Sequence, residues 1–123
     1  MKKTPLQKLD VRFFCTKNGT EPVREWLKSL DREDKKILGE DIKTVQFGWP
    51  LGMPLVKNLG DGLWEIRSNL TQGRIARVIF FTGRRVIVLA HGFIKKTQKT
   101  PLTELILAKK RRLQFAREEK EGK

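Results

Sequence analysis

At 123 residues the chain has the length for a single domain (1–123) and one modest hydrophobic core, and its 38% hydrophobic and 33% charged residues are ordinary for a soluble globular protein. The single cysteine rules out an intramolecular disulfide framework and a cysteine-rich metal site, and no apolar run approaches the ~20 residues of a bilayer span. Twenty-seven basic residues against 14 acidic ones leave a net charge of +13, which points to a polyanionic partner: RNA, DNA, an acidic protein or a membrane surface.

In chain order, Lys2 and Lys3 are followed by Pro5, Gln7, Lys8 and Asp10, which interrupt any signal-peptide core, so a cytoplasmic location is expected. VRFFC (11–15) reads as a first strand, with Cys15 as a buried structural thiol. Lys17-Asn18-Gly19 is a turn, and Thr20 is placed to cap a helix with Glu21 and Pro22 in its first turn. Val23, Trp26, Leu27 and Leu30 recur at helical spacing. Asp31 caps a second helix with the stripe Ile37, Leu38, Ile42 and Val45, stopped by Gly48 and Pro50, and the two helices read as a hairpin. Strands are expected at 55–59, 63–69, 74–82 and 85–90, joined by Gly-containing turns into an antiparallel meander. Thr100-Pro101 predicts the start of a last helix, with Leu102, Leu105, Ile106 and Leu113 as its stripe and a frayed end from about residue 116. The order implies an α+β fold: an antiparallel sheet of four to five strands, one face packed on helices and the other free to present function.

The charges are unevenly spread. Residues 66–103 contain no Asp or Glu but eight cations: Arg67, Arg74, Arg77, Arg84, Arg85, Lys95, Lys96 and Lys99. Strand alternation puts Ala76, Val78 and Phe80 on one side, and Ile75, Arg77, Ile79 and Phe81 on the other. Arg77 thus stands in an apolar row, as a structural ion-pair partner of Glu65 or as a phosphate-binding arginine at the floor of a groove. Glu65 and Arg67 share a face; so do Ile87, Leu89, His91 and Phe93 if the last strand continues. One His and one Cys cannot form the common zinc sites, no acidic cluster marks a two-metal nuclease, and phosphate-loop, nucleophile-elbow and dinucleotide motifs are absent. No metal and no cofactor is expected. Arginine, lysine and one histidine suit RNA cleavage, where the 2′-OH is the nucleophile and the protein supplies alignment, charge stabilisation and proton transfer.

The segments KNLGDGLWEIRSN, GRIARVIFF and VIVLAHGFIKKTQKTP resemble the RelE/HigB-type toxins of bacterial toxin–antitoxin systems, the phage-derived HigB-like branch in particular, over about residues 10–115. The resemblance implies a RelE-like fold and a ribosome-dependent, metal-independent mRNA endoribonuclease, restrained by a helix-turn-helix antitoxin of the HigA type. By position it implies contact with the scissile region for Arg67 and phosphate stabilisation for Arg77, with Lys95, Lys96, His91 and Glu65 as candidates for proton transfer. Arg74, Arg84, Arg85, Lys99 and Lys57 are expected as further RNA contacts. Glu65 departs from family members that carry a lysine there, and the chain has no tyrosine. A ParE-like inhibitor of DNA gyrase and a non-catalytic RNA- or ribosome-binding module are the alternatives.

Overall fold

A computed structural model describes residues 9–121, so the N-terminal segment read for targeting lies largely outside the described residues. The elements run β1 (Asp10–Phe13), α1 (Pro22–Ser29), α2 (Arg32–Gly48), β2 (Val56–Gly60), β3 (Leu63–Asn69), β4 (Ile75–Gly83), β5 (Val86–Lys95) and α3 (Leu102–Lys120). They form an α+β fold compatible with the RelE-like expectation. The sheet order is β1-β5-β4-β3-β2. β2 to β5 form the expected antiparallel meander, but β1 pairs with β5 in parallel, Asp10 opposite Val86 and Phe13 opposite Leu89, so the sheet is mixed. No hairpin links β1 to β5; most of the chain lies between them, and nothing forces their directions to oppose.

α1 starts at Pro22, whose fixed φ suits the first helical position, with Glu21 rather than Thr20 at the N-cap. The Thr20 N–H is used elsewhere, donating to Thr16 Oγ1 at 3.2 Å. α2 is capped as expected: Asp31 Oδ1 accepts from the Asp34 N–H at 2.9 Å. α1 lies over β5 and α2 over β3. Their stripes bury Val23, Leu38 and Val45 against Ile66, Val78, Phe80, Ile87 and Leu89. A residue of this type removed from water contributes roughly 1.5–3 kcal/mol. Gly92 lets α1 come this close, since a Cβ there would meet the Trp26 ring at 2.4 Å.

The second sheet face is not free. α3 lies over β5 and β4, closing a core that includes Phe14, Ile79, Phe81, Val88, Phe93 and Ala108. β4 is therefore buried on both faces, which its near-continuous run RIARVIFF allows. Only Leu105 of the expected stripe faces inward. Leu105, Ala108 and Phe115 pack on the sheet, whereas Leu102, Ile106 and Leu113 are 67%, 53% and 57% exposed. α3 runs from Leu102 to Lys120. Cys15 is exposed rather than buried, and Phe14 beside it takes the core position.

β5 is five residues longer at its end than the sequence suggested and carries a bulge. Ile79 pairs with His91 but Phe80 pairs with Leu89, leaving Ala90 as the extra residue. Ala90 packs in the α3-side core and His91 bonds to α3. Alternation thus restarts at His91, and Ile87 and Leu89 face the opposite side from His91 and Phe93, against the expected single row.

Candidate active site

The register places most of the expected residues on one sheet face. Arg67 on β3 lies opposite Arg77 on β4, which lies opposite Phe93 on β5. Glu65 is two residues before Arg67, opposite Ile79, and Lys57 on the edge strand is opposite Glu65. The β5 bulge brings His91 and Lys95 to this same face, where both meet Glu104 of α3. Without that extra residue, strand alternation would point them at α1 and α2.

Glu65 and Arg77 have no solvent exposure, and the Arg67 side chain keeps 11%. Arg67 Nε lies 3.3 Å from Glu65 Oε1, an ion pair misaligned for a hydrogen bond, so both atoms lack a hydrogen-bond partner. Arg77 Nη1 donates to the Lys99 carbonyl at 3.0 Å, while its Nε and Nη2 have no partner. Its guanidinium stands 5.9 Å from the Phe93 ring centre, within cation–π range. Burial lowers the Arg77 pKa; nearby Glu65 opposes that shift and Arg67, a like charge directly across the strand, adds to it. An arginine still carries its proton under these conditions.

The connection from β5 to α3 roofs the row. The Gln98 carbonyl accepts from Arg67 Nη2, the Lys99 carbonyl from Arg77, and the Thr100 hydroxyl donates to Glu65 Oε2 at 2.7 Å. Thr100 is thereby drawn away from the helix-capping role its sequence suggested, and Pro101 stands at the N-cap. Glu104 Oε1 lies 2.5 Å from His91 Nε2, and its other oxygen 3.8 Å from Lys95 Nζ. Arg67 alone of the guanidinium pair reaches open clefts, one lined by Met53, Pro54, Asn69, Ile75 and Gln98, the next by Ile37, Asp41 and Leu55.

The remaining cations disperse. Lys96 and Lys99 are exposed beside the roof, and Lys99 engages the site through its carbonyl, not its ammonium. Arg84 and Arg85 sit in the β4–β5 turn at the far end of the strands, with Arg85 at φ 57°. Arg74 turns to α2, where Nη1 and Nη2 fork onto Asp34 at 2.9 and 3.2 Å. That fork holds the Asp34 carboxyl below its usual pKa and outweighs its burial. The acid-free stretch is thus compensated from outside: Glu65 for Arg67, Asp34 for Arg74, Glu104 for Lys95.

Sequence reasoning missed four participants: Asp34, Thr100, Glu104 and Arg111. Glu104 had a visible signal, being the first acid after the cationic run and in the first turn of a helix. Arg111 had none; Nη1 donates to the Ala90 carbonyl at 2.7 Å, so α3 holds the bulge that turns His91 into the row. Among the described residues, no three His, Cys, Asp or Glu side chains gather as metal ligands would. No described helix is long and apolar enough to cross a membrane.

A family model for phage-derived Gp49-like proteins matches residues 25–113. The chain belongs to that family. None of the curated proteins matches it. The Gp49-like proteins are RelE/HigB-like toxins of toxin–antitoxin systems, so membership implies an antitoxin partner. The Gp49-like region spans the whole arginine row and its roof, from Lys57 to Glu104, and extends to Leu113 on the exposed side of α3. It leaves out β1.

Proposed function

We propose that this Gp49-like toxin is a HigB-like mRNA endoribonuclease that acts on the ribosome without a metal and is restrained by a helix-turn-helix antitoxin. The reading rests on one observation: Arg67 and Arg77 stand side by side on a single sheet face with Glu65, His91 and Lys95 around them. In the reaction, the ribose 2′-oxygen attacks the adjacent phosphorus and the 5′-oxygen leaves, giving a 2′,3′-cyclic phosphate. One group takes the 2′-OH proton and another protonates the leaving oxygen. The two guanidiniums stabilise the charge that builds on the non-bridging oxygens. His91, Lys95, Lys96 and Glu65 are the candidates for the proton transfers; Lys57 and Lys99 flank the row as contacts to the RNA backbone.

Primer extension on cellular mRNA after induced expression tests this. New 5′ ends are expected with the wild-type chain, and Arg67→Ala should cut about 10²–10³-fold more slowly, as for loss of one oxyanion donor. Ends that persist undiminished in Arg67→Ala defeat the reading.

The complete burial of Arg77 favours a second reading, a ParE-like inhibitor of DNA gyrase in which these residues stabilise the fold. Inhibition of gyrase supercoiling by the purified protein, with no new mRNA ends, is its signature.

A further inference from the structure

The residues named for RNA chemistry share a common occupant. Gln98 engages Arg67, Lys99 engages Arg77, Thr100 engages Glu65, and Glu104 engages both His91 and Lys95. All four lie within seven consecutive residues. Three of these partners are acceptors, two carbonyl oxygens and a carboxylate, aimed at cations or at the histidine. A phosphodiester presents the same chemistry: anionic or partly negative oxygens for guanidiniums and ammoniums.

The fit is incomplete. Arg77 Nε and Nη2, Arg67 Nε and Glu65 Oε1 are buried with no hydrogen-bond partner among the described residues. Buried polar atoms left in this state cost stability. A ligand with more acceptor oxygens than two backbone carbonyls would satisfy the guanidiniums better. Outside its contacts with the row the segment is little packed: Gln98 and Lys99 are exposed, and Leu102, where α3 begins, is 67% exposed.

We propose that Gln98–Glu104 is an autoinhibitory strap that occupies the arginine row from within and must lift before an RNA phosphate enters. The proposal rests on the reading of the row as an RNA site. A strap of this kind lowers apparent RNA affinity by the fraction of molecules in which it is open. Loosening either tie should therefore tighten RNA binding, although neither variant adds a contact to RNA.

The experiment uses a single-stranded RNA oligonucleotide and the full chain. Thr100→Val deletes the hydroxyl on Glu65, and Glu104→Gln weakens the hold on His91 and Lys95 at the other end. Each should bind the oligonucleotide about tenfold more tightly than wild type. Each should also speed phenylglyoxal modification of Arg77, read by peptide mass spectrometry, because that side chain has no exposure while the strap is down. If Arg67→Ala abolishes RNA binding but both strap variants bind as wild type does, the strap is wrong and the RNA site stands. Should Arg67→Ala bind like wild type, the RNA site falls and takes the strap with it. Should Thr100→Val not fold, Glu104→Gln decides on the same two readouts, with wild-type labelling as a check: modification of Arg77 no faster than global unfolding overturns the strap.

Discussion

Arg77 is the residue on which stability and function part company. It is buried, makes one hydrogen bond, and faces another arginine across the strand pair. A buried charge with partial pairing is weak evidence of stabilisation, and apolar replacement is often neutral. Arg77→Met is therefore expected to keep folding stability within about 1 kcal/mol of wild type while removing toxicity. Urea midpoints and growth after induction measure the two effects, and a large loss of stability would instead make Arg77 a structural residue. Arg74 behaves differently. Its fork onto Asp34 lowers that carboxyl's pKa, so the contribution is fully present above the unfolded carboxyl value of about 4 and is lost as pH falls through the lower folded value. Asp34→Asn should flatten the acid limb of a stability-against-pH curve at that end and leave the neutral plateau lower. Strand alternation sets Arg67 on a face with Glu65 and Arg77 in an apolar row, but the register that brings the two arginines opposite each other is not contained in it. Their roof was not legible either, because the Gln98 and Lys99 carbonyls that accept from Arg67 and Arg77 come from a connection distant in sequence and are backbone atoms that any residue carries.

At the scale of elements, the β5 bulge decides the composition of the site. It reverses the parity of the strand, and its displaced Ala90 carbonyl is satisfied by Arg111 from α3. Arg111 is partly buried, is shifted downward in pKa by that burial, and sits 5.6 Å from the Phe14 ring centre. Arg111→Met should cost about 1–3 kcal/mol, the penalty for a buried carbonyl left unpaired. Denaturant unfolding checks the stability, and the His91 ring resonances should shift with it if the bulge relaxes. β3 was read from the sequence residue for residue, and the stripes of α1 and α2 pack as their periodicity predicts. The strand after Arg85 runs to Lys95 rather than ending at Ala90, because the bulge at Ala90 lets pairing with β4 continue through His91 and Gly92. α3 differs for another reason: of its apolar residues the sheet accepts Leu105 and Phe115 but not Leu102, Ile106 or Leu113. Small Ala108 lies fully buried between Leu105 and Phe115 against the strands, and the side chains at 102, 106 and 113 are left outside.

Across the whole molecule, the net charge is +13, and Arg84, Arg85, Lys96 and Lys99 add exposed cations at the β4–β5 turn and around the strap. Association with RNA or ribosomes should weaken steeply with salt, as counterions are released in proportion to the phosphates neutralised. A log–log plot of affinity against salt is expected to lose about one unit of slope in Arg67→Ala; an unchanged slope removes Arg67 from the contact. The α+β class and the meander order followed from hydrophobic periodicity. The coverage of the second sheet face did not, because an amphipathic helix read in isolation does not reveal which surface it will cover. The parallel seam between β1 and β5 has a consequence for synthesis. β1 is made before the strand it pairs with, Asp10 standing opposite Val86, so this seam forms only after β5 has been synthesised.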